Sequence, residues 1–217
     1  NGARGDLTRK GGDKMWLRKH SESADSVFVT EGRGSVEILR IQAHEGLICT
    51  DLDHANWLWD FLQGLPARGK KVLVIVVPPK ILAPANLDGW WTEVFGAPAR
   101  SREWRGRPNP VREIEVIREE NGLRRFETIV RSTSTFVICV LQGEILLPFL
   151  APALACDYRV LSEETVFINR CLDTGMPACG ALPWFLSRFV GMGKTFEILF
   201  EKESLTADEA LELGLAN

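Results

Sequence analysis

Val72-Leu-Val-Ile-Val-Val77 is a run of six apolar residues, β-branched at every position but Leu73. A strand with one wet face alternates apolar and polar residues. An unbroken run like this one reads as a strand buried on both faces, as in a parallel sheet. The basic turn Arg68-Gly-Lys-Lys71 leads into it, and Gly64 and Pro66 end the element before that turn. That element reads as a helix, with Thr50 as N-cap, Asp53 three residues on, and Leu52, Ala55, Leu58 or Trp59, and Leu62 at helical spacing. Further upstream, Ser35-Val-Glu-Ile-Leu-Arg-Ile41 alternates as a strand does. Strand, helix and strand in this order predict a βαβ unit.

Downstream, Pro78 to Pro110 is rich in proline and tryptophan, with Trp90-Trp91 and the basic segment Arg100-Ser-Arg-Glu-Trp-Arg-Gly-Arg107. Residues 111–132 read as a helix interrupted or kinked at Asn121-Gly122, with Ile114, Ile117, Phe126, Ile129 and Val130 as its apolar side. Phe136-Val-Ile-Cys-Val-Leu141 is a second buried strand, ended by Gln142-Gly143. Pro148 to Ala155 reads as an apolar helix, Tyr158 to Leu161 and Val166 to Ile168 as short strands. Helical patterns follow at Trp184–Val190, Lys194–Phe200 and Ala207–Leu213. Residues 1–34 read as a charged, glycine-rich arm, with the folded domain at 35–217.

The chain has 217 residues, 45% hydrophobic and 25% charged, enough for a core without disulfide or metal staples. Its 26 basic and 29 acidic residues give a net charge of −3, which speaks against a surface built for polyanions. No apolar stretch reaches the roughly eighteen residues of a membrane span. Asn1 to Lys19 lacks the apolar core of a secretory leader. The five cysteines form no CxxC pair and no histidine neighbours them, so neither zinc nor a disulfide framework is expected, and a reduced, cytoplasmic setting is.

From Phe136 onward the sequence resembles the crotonase (enoyl-CoA hydratase/isomerase) superfamily. The matching pieces are Ala153-Leu-Ala-Cys-Asp157 with Tyr158-Arg-Val, Gly175, Leu186-Ser-Arg-Phe-Val-Gly191, Gly193-Lys194, and Leu205-Thr-Ala-Asp-Glu-Ala-Leu-Glu-Leu-Gly-Leu-Ala-Asn217. The βαβ unit fits more weakly, so the resemblance spans roughly residues 35–217. It implies an α/β fold, a crotonase-like spiral of ββα units with surrounding helices. Closing helices that relatives carry would fall after Asn217. It also implies an acyl-CoA or related thioester as ligand, no cofactor beyond the coenzyme A of that substrate, and a homo-oligomer, trimer or hexamer. Nucleic acid and membrane are not expected partners.

In that family two backbone N–H groups hold the thioester oxygen, and acid/base residues, commonly two glutamates, move protons; fixed donors aimed at developing charge are the physical core of such a site. By resemblance the first donor loop is Leu82-Ala-Pro-Ala-Asn-Leu87, with Ala83 offering its N–H and Ala85 beside the substrate. Pro84 stands there in place of a glycine and pushes Ala83 toward an extended backbone. The glycine-rich turn of the family falls on Leu147-Pro148-Phe149. Pro148 has no N–H to give, and the loss of one such donor costs about a hundred- to a thousandfold in turnover. The two glutamate positions fall on Ala151 and Cys171. Alanine transfers no proton. Cys171 is either a thiol acid/base or nucleophile or a small buried hydrophobe. Asp173 is either the nearest carboxylate to a shifted substrate or a cap ahead of Thr174-Gly175. Arg100 to Arg107 is a solvated loop, a grip on CoA phosphates, or, most distantly, a nucleic-acid contact. The expectation is a protein that holds or acts on an acyl-CoA without standard hydratase chemistry; the alternative is an inactive crotonase-fold assembly partner or ligand sensor.

Overall fold

The computed structural model describes residues 27–43, 52–86, 110–170 and 180–217. Thr50, Trp90-Trp91, Arg100 to Arg107, Cys171 and Asp173 lie outside the described residues. The strands β1 (Phe28–Arg33), β2 (Val36–Ile41), β3 (Val72–Val77), β4 (Phe136–Leu141) and β6 (Tyr158–Leu161) form a five-stranded sheet in the order β1-β2-β3-β4-β6. β2, β3, β4 and β6 run parallel, with Leu73 opposite Val137 and Val140 opposite Val160. A second, three-stranded sheet joins β5 (Glu144–Leu146), β7 (Val166–Ile168) and β8 (Ser204–Thr206). The chain passes from β4 to β5 and from β6 to β7, one strand in each sheet, with the helix α3 (Leu150–Ala155) between the pairs. That is the repeating ββα path.

In β3, Leu73, Ile75 and Val77 are buried, while Val72, Val74 and Val76 on the other face are half-buried. The unbroken apolar run fits a central strand with neither face fully exposed. α1 (Leu52–Gln63) lays Ala55, Leu58, Trp59, Phe61 and Leu62 against the core. Leu52, read as part of that face, is exposed. α2 (Pro110–Ser132) buries Leu123, Phe126, Ile129 and Val130.

Two sequence readings change. Phe28–Arg33 is not the tail of an arm but an edge strand, antiparallel to β2. Gly34, at φ 57, makes the tight turn between them. Phe28 stacks on Trp57 at 4.7 Å and Trp57 on Phe61 at 5.1 Å, which fastens this hairpin to α1. The Lys70 ammonium pairs with Glu37 at 2.8 Å and donates to the Gly34 carbonyl at 3.0 Å, tying the same hairpin to the turn before β3. Second, α2 runs unbroken through Asn121-Gly122. Gly122 is buried there, so tertiary packing outweighs the roughly 1 kcal/mol that glycine costs a helix.

The last third closes with α4 (Leu182–Phe189), α5 (Gly191–Phe200) and α6 (Ala207–Glu212). Thr206 and Glu209 form a reciprocal capping box on α6. Asn217 donates its backbone N–H to the Arg159 carbonyl at 3.0 Å, and its side-chain oxygen accepts from the Arg159 N–H, also at 3.0 Å. The Asn169 amide donates to the carbonyls of Ile198, Leu199 and Lys202 at 2.9–3.0 Å, covering the open end of α5. Among the described residues no helix is long and apolar enough to cross a membrane, and no group of His, Cys, Asp and Glu is arranged to hold a metal.

Candidate functional site

In parallel α/β sheets the space beyond the carboxyl ends of the strands is where ligands find room. β3 and β4 run out side by side, and the loops that follow them meet. Leu146, at the end of β5, donates its N–H to the Leu82 carbonyl at 3.0 Å. Gly143, at φ 74, lies so close to Pro79 that a Cβ would stand 3.2 Å from the proline Cβ. The two segments singled out in the sequence, Leu82–Asn86 and Leu147–Ala151, are therefore brought to one junction.

The first segment is held by Lys80, a non-glycine residue at φ 74. That conformation costs roughly 1 kcal/mol and persists only because its surroundings fix it. The Lys80 carbonyl accepts the Ala83 N–H at 3.2 Å and also the Asn86 side-chain amide. Residues 84–86 are helical, and the Asn86 N–H returns to the Ala83 carbonyl at 3.0 Å. The Ala83 N–H, expected to face a ligand, is engaged inside its own turn. Ala83 and Pro84 are buried and Ala85 is exposed.

The second segment is a 3-10 turn, Leu147–Phe149, that runs into α3. Its closing bonds are made by the Leu150 N–H to the carbonyls of Leu147 and Pro148. Leu147 and Phe149 belong to the hydrophobic core, and Pro148 is half-buried. Ala151 is 0% exposed. The side chains of Leu147 and Phe149 thus occupy protein interior beside the junction, where glycines would leave it open.

Cys139 and Cys156, the cysteines among the described residues, are buried free thiols. A hydrogen bond with Cys139 and then burial hold the Cys156 thiol well above its ordinary range, so it stays protonated and unreactive.

One carboxyl that sequence reading passed over stands out. Glu127 interrupts the apolar stripe Leu123, Phe126, Val130 of α2, and it is only 5% exposed. Its Oε1 has no hydrogen-bond partner. Burial, only partly opposed by Arg124 and Arg131, pushes its pKa from 4.5 up to about 7. Gly180 lies against it; a Cβ there would stand 3.4 Å from that oxygen. α2 packs on α3, the helix that carries Ala151. The signal was visible: an acid at i+4 within an i, i+3, i+7 apolar stripe.

No protein-family model matches the chain. Its curated relatives include a protein named probable enoyl-CoA hydratase 2, mitochondrial, of Arabidopsis thaliana, 34% identical over 106 residues, or 48% of this chain and 34% of that one. A short-chain-enoyl-CoA hydratase of Clostridium acetobutylicum is 38% identical over 66 residues, 30% of this chain and 25% of its own length. A 4-chlorobenzoyl coenzyme A dehalogenase of an Arthrobacter species is 32% identical over 68 residues, 31% of this chain and 25% of its own. The matches thus span well under half of each of these relatives. Among solved structures, an enoyl-CoA hydratase from Thermoplasma volcanium superposes with a TM-score of 0.67 at 19% identity, over 88% of this chain and 71% of the other. One from Bacillus halodurans gives 0.65 at 18% identity, over 88% and 72%. At these identities the structural likeness speaks for the fold.

Proposed function

We propose that this chain, which shares the fold of solved enoyl-CoA hydratases and is 31–34% identical to curated ones over part of its length, is a crotonase-superfamily protein that holds an acyl-CoA thioester at the junction of the β3 and β4 loops without performing standard hydratase chemistry. The observation that carries the second half is the state of the two expected N–H donors. Ala83 gives its N–H to Lys80 at 3.2 Å, and Pro148 has none. A thioester enolate needs fixed donors at its oxygen, and neither is on offer. Ala151 and Cys171 stand where carboxylates would move protons, so hydration lacks its acid and base as well. The first half, thioester binding, is supported by the names of the relatives and by the loops meeting where ligands of parallel sheets sit.

The test is calorimetric titration with free CoA, acetyl-CoA and a medium-chain enoyl-CoA. Saturable binding that strengthens with the acyl chain supports the reading; no heat with any of the three ends it. A cytoplasmic setting belongs to the same proposal, supported by the free thiols of Cys139 and Cys156.

A second reading, an assembly partner, is favoured by one feature. Met192, Phe196 and Phe200 recur every four residues on α5, and all three are more than half exposed. Such a stripe suits self-association as a trimer or hexamer. Sedimentation of the protein and of F196D tests it: a species lost on substitution supports it, a monomer in both cases removes it.

A further inference from the structure

We propose that the α5 helices of two copies of this chain pair antiparallel across a two-fold axis, with Arg188 of each copy set against Glu201 and Glu203 of the other. The inference rests on the assembly reading above and adds the geometry of the contact and the charges that align it.

Three observations carry it. Met192, Phe196 and Phe200 recur along α5 and are 57%, 51% and 54% exposed. Phe196 and Phe200 stack on each other at 5.8 Å, so the apolar stripe is ordered before any partner arrives, which lowers the entropy lost on association. The stripe is also bounded by opposite charges. Arg188 is exposed just ahead of α5, in the last turn of α4, with its guanidinium 3.6 Å from the centre of the Trp184 ring. Glu201 and Glu203 are exposed just beyond the other end. The ion pairs among the described residues take up none of these three side chains. Finally, carboxylates at a helix C-terminus face its partial negative charge, and α5 has no basic residue in its last turn to offset them.

A surface that is basic at one end, apolar in the middle and acidic at the other is complementary to itself when turned end for end. That is the requirement of an isologous contact, in which residue i meets residue j and j meets i. Centred on Phe196, the pairing sets Met192 against the partner's Phe200. It brings Arg188 to the partner's Glu201 and Glu203, and gives those acids the positive helix end that their own position denies them. A purely apolar partner would cover the stripe and leave both charged ends as they are. Three side chains and their flanking charges fall short of the roughly 800 Å² a side of a standard interface, so the pair is expected to be weak, with a Kd in the micromolar range.

The experiment is sedimentation velocity from about 1 to 500 μM, a span that brackets such a Kd. It compares the wild type, Arg188→Glu, the double variant Glu201→Arg with Glu203→Arg, and a combined variant carrying all three changes. The wild type is expected to show a monomer–dimer equilibrium. Each charge reversal alone weakens it at least tenfold, and the combined variant regains it. Melting temperatures close to the wild type's show that the separate variants are folded. Association of equal strength in all four proteins, a combined variant no better than the others, or a trimer as the assembled species overturns the proposal while leaving assembly itself intact. A wild type that stays monomeric throughout overturns the assembly reading and this one with it.

Discussion

The C-terminal stretch Leu205–Asn217 and the junction of Leu82–Asn86 with Leu147–Ala151 differ in what their residues do within one fold. In the first, each distinctive residue has a structural duty. Thr206 and Glu209 cap α6, the Lys202 ammonium pairs with Glu209, and Asn217 clasps both backbone groups of Arg159. In the second, the residues that the resemblance aligns with a family's chemistry serve packing and turn formation in this structure. Leu147 and Phe149 fill the core, and the Ala83 N–H closes a turn. The clasp and the cap both lie within Leu205–Asn217, one of the pieces that carry the resemblance to the superfamily. Fold and reaction are held by different residues, and the first survives changes in the second.

That contrast can be broken most forcefully at Ala151. Restoring a carboxylate by Ala151→Glu is expected to destabilise the protein by about 3 kcal/mol or more, because a charged side chain must enter fully buried space. Urea unfolding checks this, and a fully stable Ala151→Glu would show that the space is still open. On the scaffold side, Asn169→Ala uncovers the carbonyls of Ile198 and Leu199 at the end of α5 and of Lys202 just beyond it, and should cost about 2 kcal/mol by the same measurement. A change below a few tenths would mean water serves equally well.

Glu127, outside both regions, makes stability depend on pH. Its folded pKa is raised to about 7 from 4.5. Between those values the unfolded chain gives up the proton and the folded one keeps it. The stability this contributes is full below about pH 4.5 and is lost as pH rises through 7. The melting temperature should therefore fall over that window in the wild type by more than in Glu127→Gln; parallel curves would show that the carboxyl is not desolvated. The smallest expected effects are a matched pair. Thr206→Ala should lose about 1 kcal/mol with the capping box. Lys80→Gly should gain roughly 0.5–1 kcal/mol by relieving a left-handed lysine, which would mark the junction as the strained region.

The sheet was plain in the sequence because Val72–Val77 and Phe136–Leu141 are runs that only a covered strand explains. The closing helices were plain because apolar residues recur at helical spacing in Trp184–Val190, Lys194–Phe200 and Ala207–Leu213. The β1 hairpin was hidden among glycines: Gly32 and Gly34 look like a loose arm, and only the stack of Phe28 on Trp57 shows why Phe28–Arg33 pairs with β2. At the junction the sequence revealed the missing groups, Pro148 and Ala151, but not the fate of the remaining donor. That depends on Lys80 turning left-handed, which no local pattern encodes for a lysine. Glu127 was missed although its place in the stripe Leu123, Phe126, Val130 was legible, because an acid on a helix is ordinarily read as facing water.

The central claim is a scaffold that keeps its ligand and has given up hydration. It is tested most directly by following the unsaturated thioester absorbance of a medium-chain enoyl-CoA at protein concentrations where calorimetry shows it bound. The account predicts a saturated complex with unchanged absorbance and no 3-hydroxyacyl product. Product accumulating in proportion to protein would contradict it, and would mean that other groups supply the donors and the proton that Ala83, Pro148 and Ala151 do not.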